Sequence, residues 1–530
     1  MYYPRHYGVV VEKFSRFRIV LDTTTRTMHF LPARSRTTVR YQPLQPMSAF
    51  TPQAERGPTG DRMQVSQSRE SFLGKSVLRS FLTAVILLSS MLVSTSQPSY
   101  AIPAFARKYG LPCSACHIGW PILNIFGQQF RDNGYQIGNE RDSPIYQNPA
   151  YWPITFRVTP QWHLESQTKV AVDPTLTTPG GEQTITTNGF DLSGLDIWTA
   201  GTLYKNISFS VLPSMAEGDG FHFENAWVRF DNLLNSPWLN FKFGKFELDT
   251  LLSEKRFLTL SGVGGAWYNY HFLPTNSING FGGIGDNQLG IELMGHSKSS
   301  YARYSIALLS SVDGNPGLTS AGQGNTSRTY DVYANLNEGF QVGGLGVQRV
   351  GVFGYFGQSP TYFLTQTVDG TTTALEAKGN KSFSRIGAYG WWFLKNLDIE
   401  TLYMHGQDNV YLGNGVAAND PGSLPPGAAG PTWNGGFVEA HYTYSPQLIF
   451  TGRYELVHMS RQANAVLAAT PNLGNVDAWT IGYRWYPIMF SRAGLAFHNE
   501  YAQAKTGNTS LLTGSDQTVR SVMVGFDFDY

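Results

Sequence analysis

Cys113, Cys116 and His117 stand in the run Cys113-Ser114-Ala115-Cys116-His117, and no other cysteine occurs in the 530 residues. Two thiols at this spacing, with an imidazole directly after them, are what covalent attachment of a c-type haem needs. Each thiol closes a thioether to the porphyrin, and the histidine gives the iron its proximal nitrogen. The same C-x-x-C spacing also serves a disulfide or a thioredoxin-like redox pair, but that use belongs with a βαβ pattern, which the surrounding sequence lacks. The expected cofactor is one covalent haem c on Cys113 and Cys116, with His117 as iron ligand.

The second axial ligand must come from elsewhere. No methionine lies between Met91 and Met215, so a methionine close to the motif in sequence is absent. His163 is the first histidine after the motif, and it falls on the polar side of an alternating stretch. Histidine and methionine are the usual axial partners, so His163 is the expected second metal ligand, against the competing reading of an ordinary polar wall residue. Met523 and His441 fall on the polar side by the same count and are the runners-up.

These residues need a seat. From Ile102 to Ala150 the chain reads as a short aromatic and helical segment. Pro121 suits a first helical turn, and Ile122, Leu123, Phe126 and Phe130 recur at helical spacing, with Gly134 where the helix should stop. About 50 residues bury little surface alone, so the segment needs the haem as its core or walls from the rest of the chain.

From Tyr151 to Tyr530 the pattern changes to period two. Val522, Val524, Phe526, Phe528 and Tyr530 alternate with Ser521, Met523, Gly525, Asp527 and Asp529. Phe156, Val158, Trp162 and Leu164 alternate with Arg157, Thr159, Gln161, His163 and Glu165, and Phe450 and Tyr454 with Thr451, Arg453 and Glu455. One face is apolar and the other charged. A soluble sandwich turns the apolar face inward, whereas a transmembrane barrel turns it to lipid. The joints decide for the barrel. Lys205-Asn206, Ser297–Ser300, Lys395-Asn396 and Ser445-Pro446-Gln447 are tight, and long polar stretches near 168–186, 248–287, 313–327, 358–380, 408–434, 461–475 and 504–516 lie between them. Short periplasmic turns and long outer loops are the asymmetry of outer-membrane barrels, and the spacing predicts about 16 antiparallel strands. That number leaves an aqueous lumen and puts both barrel ends on the periplasmic side. Trp391, Trp392, Trp485 and Tyr486 fall near strand ends, where aromatic girdles sit. The terminal aromatic Tyr530 closes the last strand, as outer-membrane barrels commonly do.

Other groupings carry less. Asp219, His222 and Glu224 are polar neighbours near an outer loop, without a known ligand spacing. Glu439, His441, Arg453 and Glu455 are expected to line the lumen, and Gly343-Gly344 reads as a turn. No phosphate-binding G-x-x-x-x-G-K-[ST] run is present, and a formal net charge of +1 offers no electrostatic footprint for nucleic acid.

Haem c is attached outside the cytoplasm, so an export signal should precede the motif. Lys75 and Arg79 lead an apolar run from Phe81 to Val93, and Ser99-Tyr100-Ala101 offers small residues before a cleavage point. Residues 75–101 read as a signal peptide, since the run is short of the roughly 20 residues of a spanning helix. Residues 1–74 are Arg- and Ser/Thr-rich with few acids, and the true start is expected downstream, with Met63 the best candidate, which leaves this stretch out of the mature protein.

Pro103, Phe105-Ala106-Arg107-Lys108-Tyr109-Gly110, Cys113-x-x-Cys116-His117, Pro121, Leu123, Phe126-Gly127, Phe130 and Gly134-Tyr135 resemble the fused cytochrome-porins. These are outer-membrane monohaem c-type cytochromes with a short haem segment on a porin-like barrel, iron-oxidising in the best-known cases. The motif resemblance covers about 35 residues; the barrel is similar in architecture only. It implies a haem segment plugging the lumen or lying on its periplasmic side. It also implies electron transfer from an external donor such as Fe(II) to a periplasmic c-type cytochrome or other acceptor, an iron:cytochrome oxidoreductase activity where Fe(II) is the donor. The alternative is a haem-plugged porin for small solutes. A plugged receptor-type transporter is disfavoured, because such barrels use about 22 strands.

Overall fold

A computed structural model describes residues 104–530, apart from 120–121, 149, 173–180, 216–219, 251–257, 260–283, 285–286, 311–329, 361–363, 369–370, 376–379, 409–429, 463–467, 490–493 and 511–512. The expected signal peptide at 75–101, the stretch upstream of it, Pro121 and Asp219 lie outside the described residues.

The N-terminal part holds helices α1 (Ala104–Tyr109) and α2 (Cys113–Cys116), the short strands β1 (His117–Gly119) and β2 (Ile122–Leu123), and helix α3 (Ile125–Asp132). The barrel begins with β3 (Ile154–Ala171), β4 (Glu182–Tyr204), β5 (Ile207–Met215), β6 (His222–Phe230), β7 (Asn240–Phe246) and β8 (Gln288–His296). It continues through β9 (Arg303–Ser310), β10 (Tyr330–Val342) and β11 (Gly346–Pro360). A separate hairpin of β12 (Leu364–Val368) and β13 (Thr371–Leu375) then interrupts it. The remaining wall is β14 (Asn380–Leu394), β15 (Leu397–Gln407), β16 (Thr432–Ser445), β17 (Leu448–Arg461), β18 (Val476–Met489), β19 (Gly494–Thr506) and β20 (Gln517–Asp529).

Every barrel strand pairs antiparallel with its neighbours, and β20 closes on β3, giving one closed 16-stranded barrel. Closure satisfies the backbone groups that an open sheet edge would leave bare in lipid. At the seam Met523 opposes His163 and Val524 opposes Trp162, and Tyr530 and Phe156 exchange both backbone hydrogen bonds at 2.8 Å. The two faces differ: the outer one is apolar, whereas the inner one holds the buried charges beside a buried cluster that includes Tyr333, Phe353, Met404, Trp433 and Phe437. Phe156, Val352, Ile386, Val438, Phe450, Ile481 and Val524 are exposed on the outside, whereas Glu292, Arg385, Glu439, His441, Arg453, Glu455 and Asp527 are buried inside. A soluble barrel would not leave so many apolar side chains on its outer face. The chain therefore forms a transmembrane barrel of the outer-membrane type.

The tight joints lie where the sequence places them. Lys205 and Lys395 take left-handed backbone conformations (φ 46° and 63°), which two-residue hairpin turns require. Two expectations change. Trp391 and Tyr486 are buried on the inner face rather than standing in a girdle. Consecutive strand residues face opposite sides, so of each aromatic pair only Trp392 and Trp485 can face outward. The stretch after β7, expected as an outer loop, folds inward in part: Leu248, Asp249, Thr250, Leu258 and Ile284 are buried.

Candidate functional site

The C-x-x-C-H run is one helical turn followed directly by a strand. Positions 113–116 form α2, and His117 opens β1, which pairs with β2 through His117↔Leu123 and Gly119↔Ile122. Helix α3 therefore starts later than apolar spacing and Pro121 suggest. Ile122 and Leu123 are strand residues, and the helix begins after Asn124. Asn124 has an extended backbone, and its side-chain oxygen accepts from the Gly127 N–H at 2.9 Å. An N-cap outranks a run of apolar spacing because it supplies a partner for an otherwise orphaned helix donor.

Asn124 does a second job. Its backbone N–H donates to the Cys116 carbonyl at 2.9 Å, and its Nδ2 donates to the Ala115 carbonyl at 3.0 Å and the Ser114 carbonyl at 3.2 Å. One residue thus caps α3 and holds the exit of the cysteine turn. Gly127 makes the close approach possible. A Cβ there would collide with the Cys116 carbonyl oxygen and stand 2.9 Å from Leu123 Cδ2. Cys116 is a free thiol, and burial pushes its pKa up to about 11. His117 is half-buried.

The barrel supplies the walls that this segment lacks. Phe105 packs edge-on against Phe130 (4.9 Å between centroids), stacks on Tyr135 (5.4 Å) and meets Trp198 of β4 (5.6 Å). Tyr135 also stacks on Trp227 of β6 at 6.2 Å, and burial pushes its phenol up to about 12. Such aromatic pairs add about 0.5–1.5 kcal/mol each beyond burial. Gly134, with φ +76°, ends α3 as the sequence predicts, and its carbonyl accepts from Thr202 Oγ1 at 2.8 Å.

The strongest tie is polar. Asp132, the last residue of α3, is buried and accepts from Ser300 Oγ at 2.6 Å and from the Arg303 guanidinium. Arg303 also holds Asp249 at 3.1 Å, and Arg131 reaches Asp249 at 3.5 Å. Arg229 donates to the Arg131 and Asp132 carbonyls at 2.9 and 3.2 Å. Burial alone would raise the Asp132 carboxyl, but Arg303, then His296 and Arg131, and the Ser300 hydroxyl outweigh it and hold it well below the usual carboxylate range. A cavity of about 170 Å3, partly open to solvent, lies between this segment and the wall. Leu123, Asn124 and Gln128 line it on one side and Arg303, Arg349 and Trp391 on the other.

The remaining expected residues fall as follows. His163 is on β3, about a third exposed, with Nδ1 2.8 Å from Asp191 Oδ2 of β4. Its described partner is that wall carboxylate rather than a residue of the C-x-x-C-H segment. Met523 is buried on the inner face. His441 is buried too, with each ring nitrogen 2.7 Å from a carboxylate, of Asp398 and Glu439. His222 and Glu224 lie at the start of β6, where His222 is exposed. Sequence reading missed Asn124 and Asp132 as positioning residues. Asn before an apolar helix start is a recognised cap signal. An acid in a helix's last turn opposes the macrodipole, so Asp132 advertises a cationic partner.

Topology and the two faces define the class as a porin-like transmembrane β-barrel bearing a C-x-x-C-H segment. No protein-family model matches the chain, and no curated protein matches it. Among solved structures it is similar to the anion-selective porin of Comamonas acidovorans, with a TM-score of 0.44 and 10% identity over 71% of this chain and 99% of that one. It is also similar to a loop L8 deletion mutant of OmpT from Vibrio cholerae (TM-score 0.41, 14% identity, 71% and 99% covered). The channel DcaP of Acinetobacter baumannii is a third (0.40, 12%, 70% and 96%). Assignment to a transmembrane barrel rests on strand order and surface character, not on these likenesses.

Proposed function

We propose that the chain is an outer-membrane c-type cytochrome-porin that carries electrons from an extracellular donor such as Fe(II) to a periplasmic c-type cytochrome or other acceptor. The observation that supports this reading is the seat of the only two cysteines. Their turn is closed by Asn124 and Gly127, in a segment whose far side is bonded to the inner wall through Asp132 and Arg303. Haem bound there supplies a one-electron Fe(III)/Fe(II) couple.

The chain's own residues do the positioning. Cys113 and Cys116, one helical turn apart, would hold the porphyrin through thioethers, and His117 would give the iron an imidazole. Asn124 fixes the carbonyls around that turn, so the imidazole leaves the helix in one direction. Asp191 on Nδ1 of His163 would fix the ring and direct Nε2 toward a metal, the usual partnership of a carboxylate with a ligating histidine. On that ground His163 is proposed as a second iron ligand. The segment would act as a plug on the periplasmic side, with the barrel as its wall.

The test is the visible spectrum of the purified protein before and after anaerobic Fe(II). A c-type band that shifts promptly to the reduced form is expected. A haem reduced by dithionite but not by Fe(II) would remove iron as donor, and absence of the band would overturn the cytochrome reading. The partly open cavity between segment and wall favours a second reading, a haem-plugged porin for small solutes. Steady open-channel conductance of the intact protein in planar bilayers would support it over a closed conduit.

A further inference from the structure

Three neighbouring strands carry a cluster of ionisable side chains that the haem segment does not use. Asp398 and Glu400 on β15, Glu439 and His441 on β16, and Arg453 and Glu455 on β17 are all buried on the inner face. Register sets Asp398 opposite His441, Glu400 opposite Glu439, and Glu439 opposite Arg453. His441 Nδ1 lies 2.7 Å from Asp398 Oδ2, and Nε2 lies 2.7 Å from Glu439 Oε1. Arg453 donates to Glu439 Oε2 at 2.7 Å, and to Glu455 Oε2 at 2.9 and 2.7 Å.

Glu400 enters none of these bonds. It is 1% exposed, and both its carboxylate oxygens are buried without a hydrogen-bond partner. It also stands directly across from Glu439, and like charges in opposed positions destabilise a sheet. Four carboxylates in the cluster face one guanidinium and one imidazole. Were all four ionised, two negative charges would stay unbalanced within the cluster even with His441 protonated. Buried charges are paired or coordinate metals.

We propose that Asp398, Glu400 and His441 bind a divalent first-row transition-metal cation on the lumen wall. One ligand atom from each lies within 4.8 Å of the others. Donors bound at about 2.0–2.2 Å in a tetrahedral set stand about 3.3–3.6 Å apart, so side-chain movements of roughly 1 Å, opening the Asp398–His441 contact and drawing Glu400 in, close the set. The ion takes the place of the proton between Asp398 and His441 Nδ1. The contact from Nε2 to Glu439 remains, and Glu439 is itself fixed by Arg453. A ligating imidazole whose other nitrogen meets a carboxylate is the usual outer support of a metal site. One imidazole with two carboxylates suits zinc, manganese, iron or cobalt better than calcium or magnesium. The site is independent of the haem reading.

The probe is Zn2+, titrated calorimetrically into the tag-free, chelator-treated full chain in detergent. One equivalent is expected to bind. Glu400→Gln should weaken it at least tenfold, Glu439→Gln roughly 10- to 100-fold through loss of the outer support, and His222→Ala not at all. A Cys113→Ala/Cys116→Ala chain, which cannot attach haem, should bind Zn2+ unchanged, which separates this site from the cytochrome reading. Absence of saturable binding, or equal affinity in Glu400→Gln, overturns the proposal. Should the variants fail to fold, zinc-edge X-ray absorption of the wild type still decides. A first shell with an imidazole and oxygens supports the site, and sulfur or oxygen-only coordination refutes it.

Discussion

Asp132→Asn is the perturbation that most directly tests how the C-x-x-C-H segment is held in the barrel. Removing one partner of a buried ion pair costs about 3–5 kcal/mol when the other charge is stranded. Arg303 is not stranded, because Asp249 stays beside it at 3.1 Å, and asparagine can still accept from Ser300. The expected loss is therefore about 2–3 kcal/mol. At about 1.4 kcal/mol per factor of ten, that is roughly a 30- to 150-fold shift toward an undocked segment. The loss should fall on docking and not on the barrel, since the strand pairs do not involve Asp132. Limited proteolysis of folded protein in detergent reads this out: cleavage within 104–150 accelerates while the unheated barrel keeps its fast gel migration. pH gives an independent arm. The Asp132 carboxyl is held below its unfolded value, about 3.9. Its contribution to docking is thus complete above that value and is lost as pH falls through the lower, folded one. Wild type should release the segment on acidification below about pH 4, and Asp132→Asn should lack that component. Equal cleavage rates at pH 7 in the two proteins would refute the anchoring role.

Three further outcomes follow from the same geometry. Gly127→Ala should cost about 1–3 kcal/mol from overpacking against the Cys116 carbonyl, and it should lower covalent haem content measured as the pyridine haemochrome; unchanged content would count against the seat described. His163→Ala should convert a low-spin haem spectrum to high spin, and an unaltered spectrum would remove His163 as axial ligand. Val352→Arg, at an outward position 54% exposed, should destabilise the barrel by about 2–4 kcal/mol in lipid refolding if it lies near the bilayer midplane. No cost at all would argue that the outer face does not meet lipid.

The barrel was legible in the sequence because a closed sheet in lipid has few ways to be wrong. The alternation of Phe526 and Phe528 with Asp527 and Asp529 must run as it does, since a one-residue slip would turn Asp527 into the bilayer. The tight joints at Lys205-Asn206 and Lys395-Asn396 fix the register of the hairpins on either side. The girdle reading of Trp391 and Tyr486 failed on the same rule. Adjacent aromatics cannot share a face, so the period-two pattern had to override their position near a strand end. The inward fold after β7 was illegible because polarity marks a loop without saying which side of the wall it takes. Asp249, which looks like an ordinary loop acid, becomes a partner of Arg303 only through contacts between distant parts of the chain.

The site divides along a similar line. Chemistry carried by neighbours in sequence could be read directly: C-x-x-C-H needs no fold to be recognised, and Gly134 at a helix end needs only its backbone. Chemistry assembled across strands could be read only by face. Glu439, His441, Arg453 and Glu455 were recognisable as inner residues, but not that His441 would bridge two carboxylates or that Glu400 would face Glu439. Those facts depend on the β15–β16 register, which sets Asp398 opposite His441 and Glu400 opposite Glu439. A shift of two residues would preserve every inner and outer position, and with it the whole hydrophobic pattern, yet it would separate these partners. Alternation therefore specifies the barrel strongly and its polar clusters weakly, and the β15–β16 ladder, continued by the backbone bond from Thr443 to Asn396 at 2.8 Å, sets which acids meet.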